Sequence, residues 1–241
     1  MFHRSMPIPL LLCCAIAGIG QAHAEEGAAA PAYKLTTGWY GFSDHSSGID
    51  LNLRRSSESG NLWLGWFRLA DQDIRQWRGG WDNSYGEAVR ISPSIQLASG
   101  GFVGGSIGIE TGAPWFVGAG LGRTNLRPYW NLNFDPNDAY TLSAGHRSDD
   151  NQLFMWQLVR DNRENPDQRH MHFLYRQPLA DGQRLTVDAL YKTGRVDDAT
   201  IHRWGLTLAY DWPRFFVRAA WDPKTNFTSV DALRLAIGTR F

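Results

Sequence analysis

Residues 229–241 have the sequence SVDALRLAIGTRF. Leu233, Leu235, Ile237 and Phe241 share one parity, whereas the other parity carries small or charged residues, so the stretch predicts a strand with one apolar and one polar face. A soluble sandwich would place the charged face in water. A transmembrane barrel instead turns the apolar face to lipid and the charged face to a wet lumen. The aromatic Phe241, on which the strand ends, favours the barrel.

This last strand resembles the C-terminal signal strand of Gram-negative outer-membrane β-barrels. The resemblance implies that Phe241 belongs to an assembly signal. It also implies two partners, the outer-membrane assembly machinery and the outer-membrane lipid.

The N-terminus has the features of a cleaved secretory signal peptide. His3 and Arg4 precede an apolar run over 7–19, and Ala22-His23-Ala24 forms a small-x-small cleavage site. We therefore predict a signal peptide at 1–24, a short leader at 25–32 and a barrel domain at 33–241, located in the outer membrane. Cys13 and Cys14 both lie in the signal, so the predicted mature chain has no thiol and no disulfide.

Composition excludes two classes of protein. No stretch after the predicted signal has the roughly 18 consecutive apolar residues of a membrane helix. Basic and acidic residues are balanced at 24 each, which is not the footprint of a nucleic-acid-binding protein. We expect no nucleic-acid partner.

Period-two alternation recurs along the chain between explicit turn signals such as Asp181-Gly182. Clear examples are 49–54, 88–97, 103–110, 115–122, 170–176, 184–192, 203–211 and 215–222. The prediction is an all-β, antiparallel up-and-down transmembrane β-barrel. Twelve strands would leave about 17 residues for each strand and its turn, which suits the ~10 residues needed to cross the membrane. Twelve is therefore preferred and fourteen stays open; segments 61–83 and 114–135 are ambiguous because their aromatics occupy both parities.

The predicted lumen face is rich in arginine. It carries Arg54, Arg90, Arg127, Arg176, Arg184, Arg203, Arg218, Arg234 and Arg240, together with the acids Asp50, Glu110, Asp188, Asp211 and Asp222. Guanidinium groups bind carboxylate, sulfate or phosphate in a fixed plane. Two interpretations follow: salt bridges fill the lumen and make it structural, or an arginine track conducts anions.

Leu126-Arg127-Pro128-Tyr129, in a small arginine-rich barrel, is similar to a segment of the porins specific for acidic oligosaccharides such as oligogalacturonate and sialic acid. This resemblance implies a twelve-stranded monomer that lets acidic oligosaccharides diffuse passively past its arginines, with no cofactor.

Two motifs suggest other chemistry. Outer-membrane lipid esterases place a His-x-Ser pair on the lipid-facing side, where residues two apart share a face. His45-x-Ser47 fits that position at the far end of the first strand, whereas His146-x-Ser148 is predicted at a periplasmic turn. His170-x-His172 is a two-ligand metal spacing whose alternative interpretation is a pair of solvated lumen histidines.

The function hypothesis is a narrow channel for small anionic solutes or acidic oligosaccharides. A lipid-modifying hydrolase using His45 and Ser47 and a non-conducting structural or secretion-accessory barrel are the alternatives. An enzyme is the less favoured class.

Overall fold

The computed structural model describes residues 32–130, 138–196 and 199–241. The predicted signal peptide 1–24 and nearly all of the leader 25–32 lie outside these residues. The chain forms fourteen strands: β1 (Tyr33–Phe42), β2 (Ser47–Ser57), β3 (Gly60–Leu69), β4 (Ile74–Asp82), β5 (Val89–Ala98), β6 (Phe102–Thr111), β7 (Trp115–Thr124), β8 (Ala139–Arg147), β9 (Leu153–Asp161), β10 (Arg169–Pro178), β11 (Arg184–Val196), β12 (Ala199–Asp211), β13 (Phe215–Asp222) and β14 (Ala232–Arg240).

The strands form one closed antiparallel barrel in which each pairs with its sequence neighbours. The last strand closes the barrel by pairing with the first, from Lys34 opposite Arg240 to Phe42 opposite Ala232. Tyr33 and Phe241 exchange backbone hydrogen bonds at this seam, and their rings stack with centroids 5.7 Å apart. The predicted up-and-down barrel is confirmed.

The strand count is fourteen, the number that the sequence left open, and not the preferred twelve. The twelve-strand estimate assumed about 17 residues for each strand and its turn. Several connections are shorter than that average allows. Only Glu58 and Ser59 separate β2 from β3, and β3 and β4 both come from the ambiguous segment 61–83. Short turns leave room for two further strands.

Side chains alternate between lipid and lumen as the parity predicts. Trp115 is 71% exposed and Ile237 58% exposed on the outside, whereas Met155 is fully buried inside. The outward face is therefore the apolar one, which is the arrangement of a membrane barrel.

The two ends of the barrel differ. The terminal end carries Tyr33, Phe241 and mostly short turns, whereas the loop end carries the longest connections, at 125–138 and 223–231. In outer-membrane barrels the short turns are periplasmic and the longer loops extracellular, which places the loop end outside. None of the short helices in the described residues is long or apolar enough to cross a membrane.

Candidate functional site: the lumen

One side of the lumen is lined by cationic side chains, most of them near the terminal end. They project inward from β1, β2, β10, β11, β13 and β14: Lys34, Arg54, Arg176, Arg184, Arg218, Arg234 and Arg240. We call this set the basic wall. Lys34 lies opposite both Arg240 and Arg54, and the pairs Arg218–Ala236 and Ala220–Arg234 make Arg218 and Arg234 diagonal neighbours.

Carboxylates pair with some members of the basic wall. Asp211 accepts bonds from Arg184, at 3.2 Å, and from Arg240. Asp82 binds Arg54. Within the described part of the chain, no carboxylate lies within 4.0 Å of the Arg218 guanidinium. The wall keeps an excess of positive charge.

Phe216 orders two of these cations. Lys34 Nζ lies 4.5 Å and Arg240 Cζ 5.1 Å from the centre of its buried ring. Gly238, on the neighbouring strand, makes room, because a Cβ there would stand 2.2 Å from the ring carbons of Phe216. Cation–π contacts of this kind attract both cationic groups to the face of the ring.

The opposite side of the lumen is small and polar. Its inward residues include Ser92, Ser94, Ser106, Gly108, Gly118, Gly120, Thr141 and Ser143. The hydroxyls of Ser94 and Ser106 share a hydrogen bond of 2.7 Å. Glu110 accepts bonds from Arg90 at 3.1 Å and from Arg147 at 3.4 Å. Small side chains here leave space in front of the basic wall.

The free volume of the lumen is unequal along its axis. At the terminal end a cavity of about 1160 Å³ is lined by Arg90, Arg147, Arg176, Arg184 and Arg240 among others. At the loop end a cavity of about 200 Å³ lies among Tyr40, Phe67, Trp130, His172 and Arg234. Of these two cavities, the one at the loop end is much the smaller, so the lumen around its described residues is narrower there.

The segment Asn125–Trp130 contributes to this narrowing. Gln76, inward on β4, donates from Nε2 to the Pro128 carbonyl at 2.9 Å and accepts from the Trp130 backbone N–H at 2.8 Å. The ring centroids of Tyr129 and Phe102 lie 4.6 Å apart. Burial raises the pKa of Tyr129 to about 12, so its phenol is neutral at physiological pH. We call the segment Asn125–Trp130 the docked segment.

A second connection also fills the loop end. Lys192, fully buried, donates to Asp222, whose other oxygen accepts from Thr225 at 2.8 Å. Phe227 then packs with Val196 and Ile201. Charge pairing inside the barrel therefore anchors residues 225–227 in the lumen.

The two histidines of the predicted metal spacing face the lumen but have separate partners. His172 Nδ1 lies 2.9 Å from Asp188, and the His170 ring stacks on Phe227 with centroids 5.1 Å apart. No group of three or more His, Cys, Asp or Glu that could hold a metal ion occurs in the described residues.

Two predicted lumen arginines are placed differently. Arg127 is exposed in the connection after β7 instead of on a lumen strand, because β7 ends at Thr124. Arg203 has lumen parity but is exposed near the loop end, where its Nη1 donates to the His202 carbonyl. The remaining predicted arginines project inward from their strands.

The His-x-Ser pairs do not form dyads in the described structure. His45 is exposed in the 43–46 connection with a φ of 70°, and no hydrogen bond joins it to Ser47. The backbone N–H of Ser47 instead donates to Asp71 at 3.0 Å. Ser148 lies in a turn at the terminal end, as predicted, and donates to Asp150.

Sequence reasoning missed Arg78, Lys34 and Arg147 as lumen charges. Arg78 lies in the segment 61–83, where aromatic residues on both parities hide the inward face. Lys34 and Arg147 lie at strand ends, where a period of two has too few repeats to be assigned. Parity counted from a known neighbouring strand would have found them.

Solved outer-membrane proteins match this architecture. Omp33 of Acinetobacter baumannii superposes with a TM-score of 0.56 at 11% identity, covering 88% of this chain and 98% of that chain. The NanC porin matches with a TM-score of 0.47 at 8% identity over 86% of this chain and 100% of its own. The KdgM porin matches with a TM-score of 0.44 at 10% identity, over 86% of this chain and 99% of its own.

These identities show a shared fold alone. No protein-family model matches the sequence, and no curated protein matches it. Closed barrel, apolar exterior and charged lumen define the chain as an outer-membrane β-barrel.

Proposed function

We propose that the protein is a channel for the passive passage of small anionic solutes, with acidic oligosaccharides as the candidate class. The observation that carries the proposal is the basic wall. The cationic side chains come from neighbouring strands, and Asp211 pairs with two of them, Arg184 and Arg240.

The chemistry of the wall suits a transient anion site. Guanidinium groups donate parallel hydrogen bonds to carboxylates, sulfates and phosphates. A row of such groups offers successive weak sites, and conduction requires sites that an ion can both enter and leave. The wide cavity at the terminal end gives a hydrated solute access to the row.

Single-channel recording in a salt gradient tests the proposal. We expect an anion-selective reversal potential that moves toward zero in an Arg176→Gln/Arg218→Gln variant. Arg55→Gln is the matched control, because Arg55 is exposed on the outer surface near the same end. Cation selectivity, or selectivity that the double variant leaves unchanged, would contradict an arginine-lined anion path.

A non-conducting structural or secretion-accessory barrel is the second candidate. It is favoured by the narrow loop end, where Gln76 holds the docked segment and the Lys192–Asp222 pair holds residues 225–227. Electrical silence across the voltage range, in protein whose folding is verified, would support this candidate and reject the channel.

A further inference from the structure

Arginines on the outer surface of the barrel are concentrated at the loop end. Those on lipid-facing strand positions there are Arg68, Arg75, Arg123, Arg160, Arg169 and Arg195, whereas Arg55 holds such a position at the terminal end. Among the described strand residues, no aspartate or glutamate faces outward. The outer surface therefore has a cationic rim at its loop end.

One part of this rim forms a continuous row across four strands. Arg160 on β9 is the direct cross-strand partner of Arg169 on β10. Arg169 in turn lies opposite Thr193 on β11, and Thr193 lies opposite His202 on β12. Directly opposed side chains have Cβ atoms about 5 Å apart, and like charges in such a pair destabilise a sheet. An arrangement that costs free energy in the bare barrel indicates an anion outside the chain.

In the described part of the barrel, no carboxylate is paired with these two arginines. Arg160 Nε donates to the Pro166 carbonyl at 3.1 Å, and neither Arg160 nor Arg169 forms an ion pair within the described residues. The opposed pair Arg68–Arg75 at the same end differs, because Arg75 has Asp73 at 3.4 Å. Among the residues that the structure describes, the Arg160–Arg169 pair thus lacks the neutralising carboxylate that the Arg68–Arg75 pair has.

The Arg160–Arg169 pair lies at the depth of the lipid headgroups. Arg160 is one lipid-facing position beyond Leu158, and Arg169 one position before Met171, which both belong to the apolar band. Beside them, Tyr191 and Trp204 form an aromatic pair with centroids 4.9 Å apart, and the Tyr191 hydroxyl lies 2.7 Å from His202 Nδ1. Tyr and Trp mark the interface between hydrocarbon and headgroups.

We propose that Arg160 and Arg169, with Thr193 and His202 beside them, bind the phosphate of a phosphorylated glycolipid in the outer leaflet. Two guanidinium groups can donate parallel hydrogen bonds to one phosphate, while the acyl chains of the lipid lie on the apolar band below. The site is on the lipid side of the wall, so it is independent of what passes through the lumen.

Co-purification with a defined lipid tests this site. The refolded barrel is incubated with bisphosphorylated lipid A, passed through detergent without lipid, and the lipid retained per barrel is measured by mass spectrometry. We expect Arg160→Gln/Arg169→Gln to bind the lipid about thirtyfold more weakly, since each of the two arginines near an anionic surface contributes about 1 kcal/mol and every 1.4 kcal/mol is a factor of about ten. Wild-type protein should retain little dephosphorylated lipid A.

The matched control is Arg68→Gln/Arg75→Gln, which removes the opposed pair that already has a carboxylate. A loss from this control as large as that from the Arg160/Arg169 variant would overturn a specific site and indicate diffuse attraction. Equal retention of phosphorylated and dephosphorylated lipid A, or displacement by inorganic phosphate alone, would also overturn it. Heat-dependent gel migration verifies that each variant is folded, whether or not the barrel conducts.

Discussion

Arg78 reaches across β3 to bind Asp50, its Nη2 donating to both carboxylate oxygens at 2.6 and 2.5 Å. Both side chains are buried. Gly65 on the intervening strand makes the contact feasible, because a Cβ there would stand 2.6 Å from Arg78 Nε. Arg54 and Asp82 form a second pair between β2 and β4 with the polarity reversed. Two ion pairs therefore join strands that share no backbone hydrogen bonds.

Removing one partner of the buried pair should destabilise the barrel strongly. Asp50→Ala leaves the Arg78 guanidinium buried without its carboxylate, which typically costs about 3–5 kcal/mol. We expect a loss of that size in the free energy of unfolding, measured by urea titration in lipid vesicles. Asp82→Ala is the control, since that pair is partly exposed and should cost about 1 kcal/mol or less. Equal losses would show that burial of the Arg78–Asp50 pair is unimportant.

The docked segment should be released by Gln76→Leu. The substitution removes the hydrogen bonds to the Pro128 and Trp130 backbone, which are part-buried, at a cost of about 1 kcal/mol for each bond. In a conducting barrel, we expect larger single-channel conductance and faster proteolysis near residue 127. Gln96→Leu is the control, because Gln96 is equally buried on β5 and forms no hydrogen bond to this segment in the described structure. Unchanged conductance and proteolysis would contradict the role of Gln76.

Docking of Tyr129 should weaken at high pH. Burial raises the pKa of Tyr129 from 10.0 to about 12, so the undocked phenol releases its proton at lower pH than the docked one. The stabilisation is complete below pH 10 and is lost as the pH rises from about 10 toward 12. We expect proteolysis near residue 127 to accelerate over that range in wild type. Tyr129→Phe should lack this acceleration. If the variant shows the same dependence of proteolysis on pH as wild type, the acceleration is due to another titrating group.

The sequence alone predicted the outer-membrane barrel and the inward direction of most lumen arginines. Both depend on parity, and a strand's two faces alternate over every few residues whatever its neighbours are. Strands such as β14, with Leu233, Leu235 and Ile237 on one face, therefore reveal their orientation locally. The same reasoning failed in the segment 61–83, where aromatics on both faces concealed β3, β4 and Arg78.

Only the tertiary structure decided the number of strands and the partners of each charge. The count depends on turn lengths that parity does not measure, as at Glu58 and Ser59. Asp50 meets Arg78, and Arg160 meets Arg169, because of the register between strands, and register is a non-local property set by the closed barrel. The alternation of faces is local and can be deduced from the chain, whereas the meeting of side chains from different strands exists only once the barrel has closed.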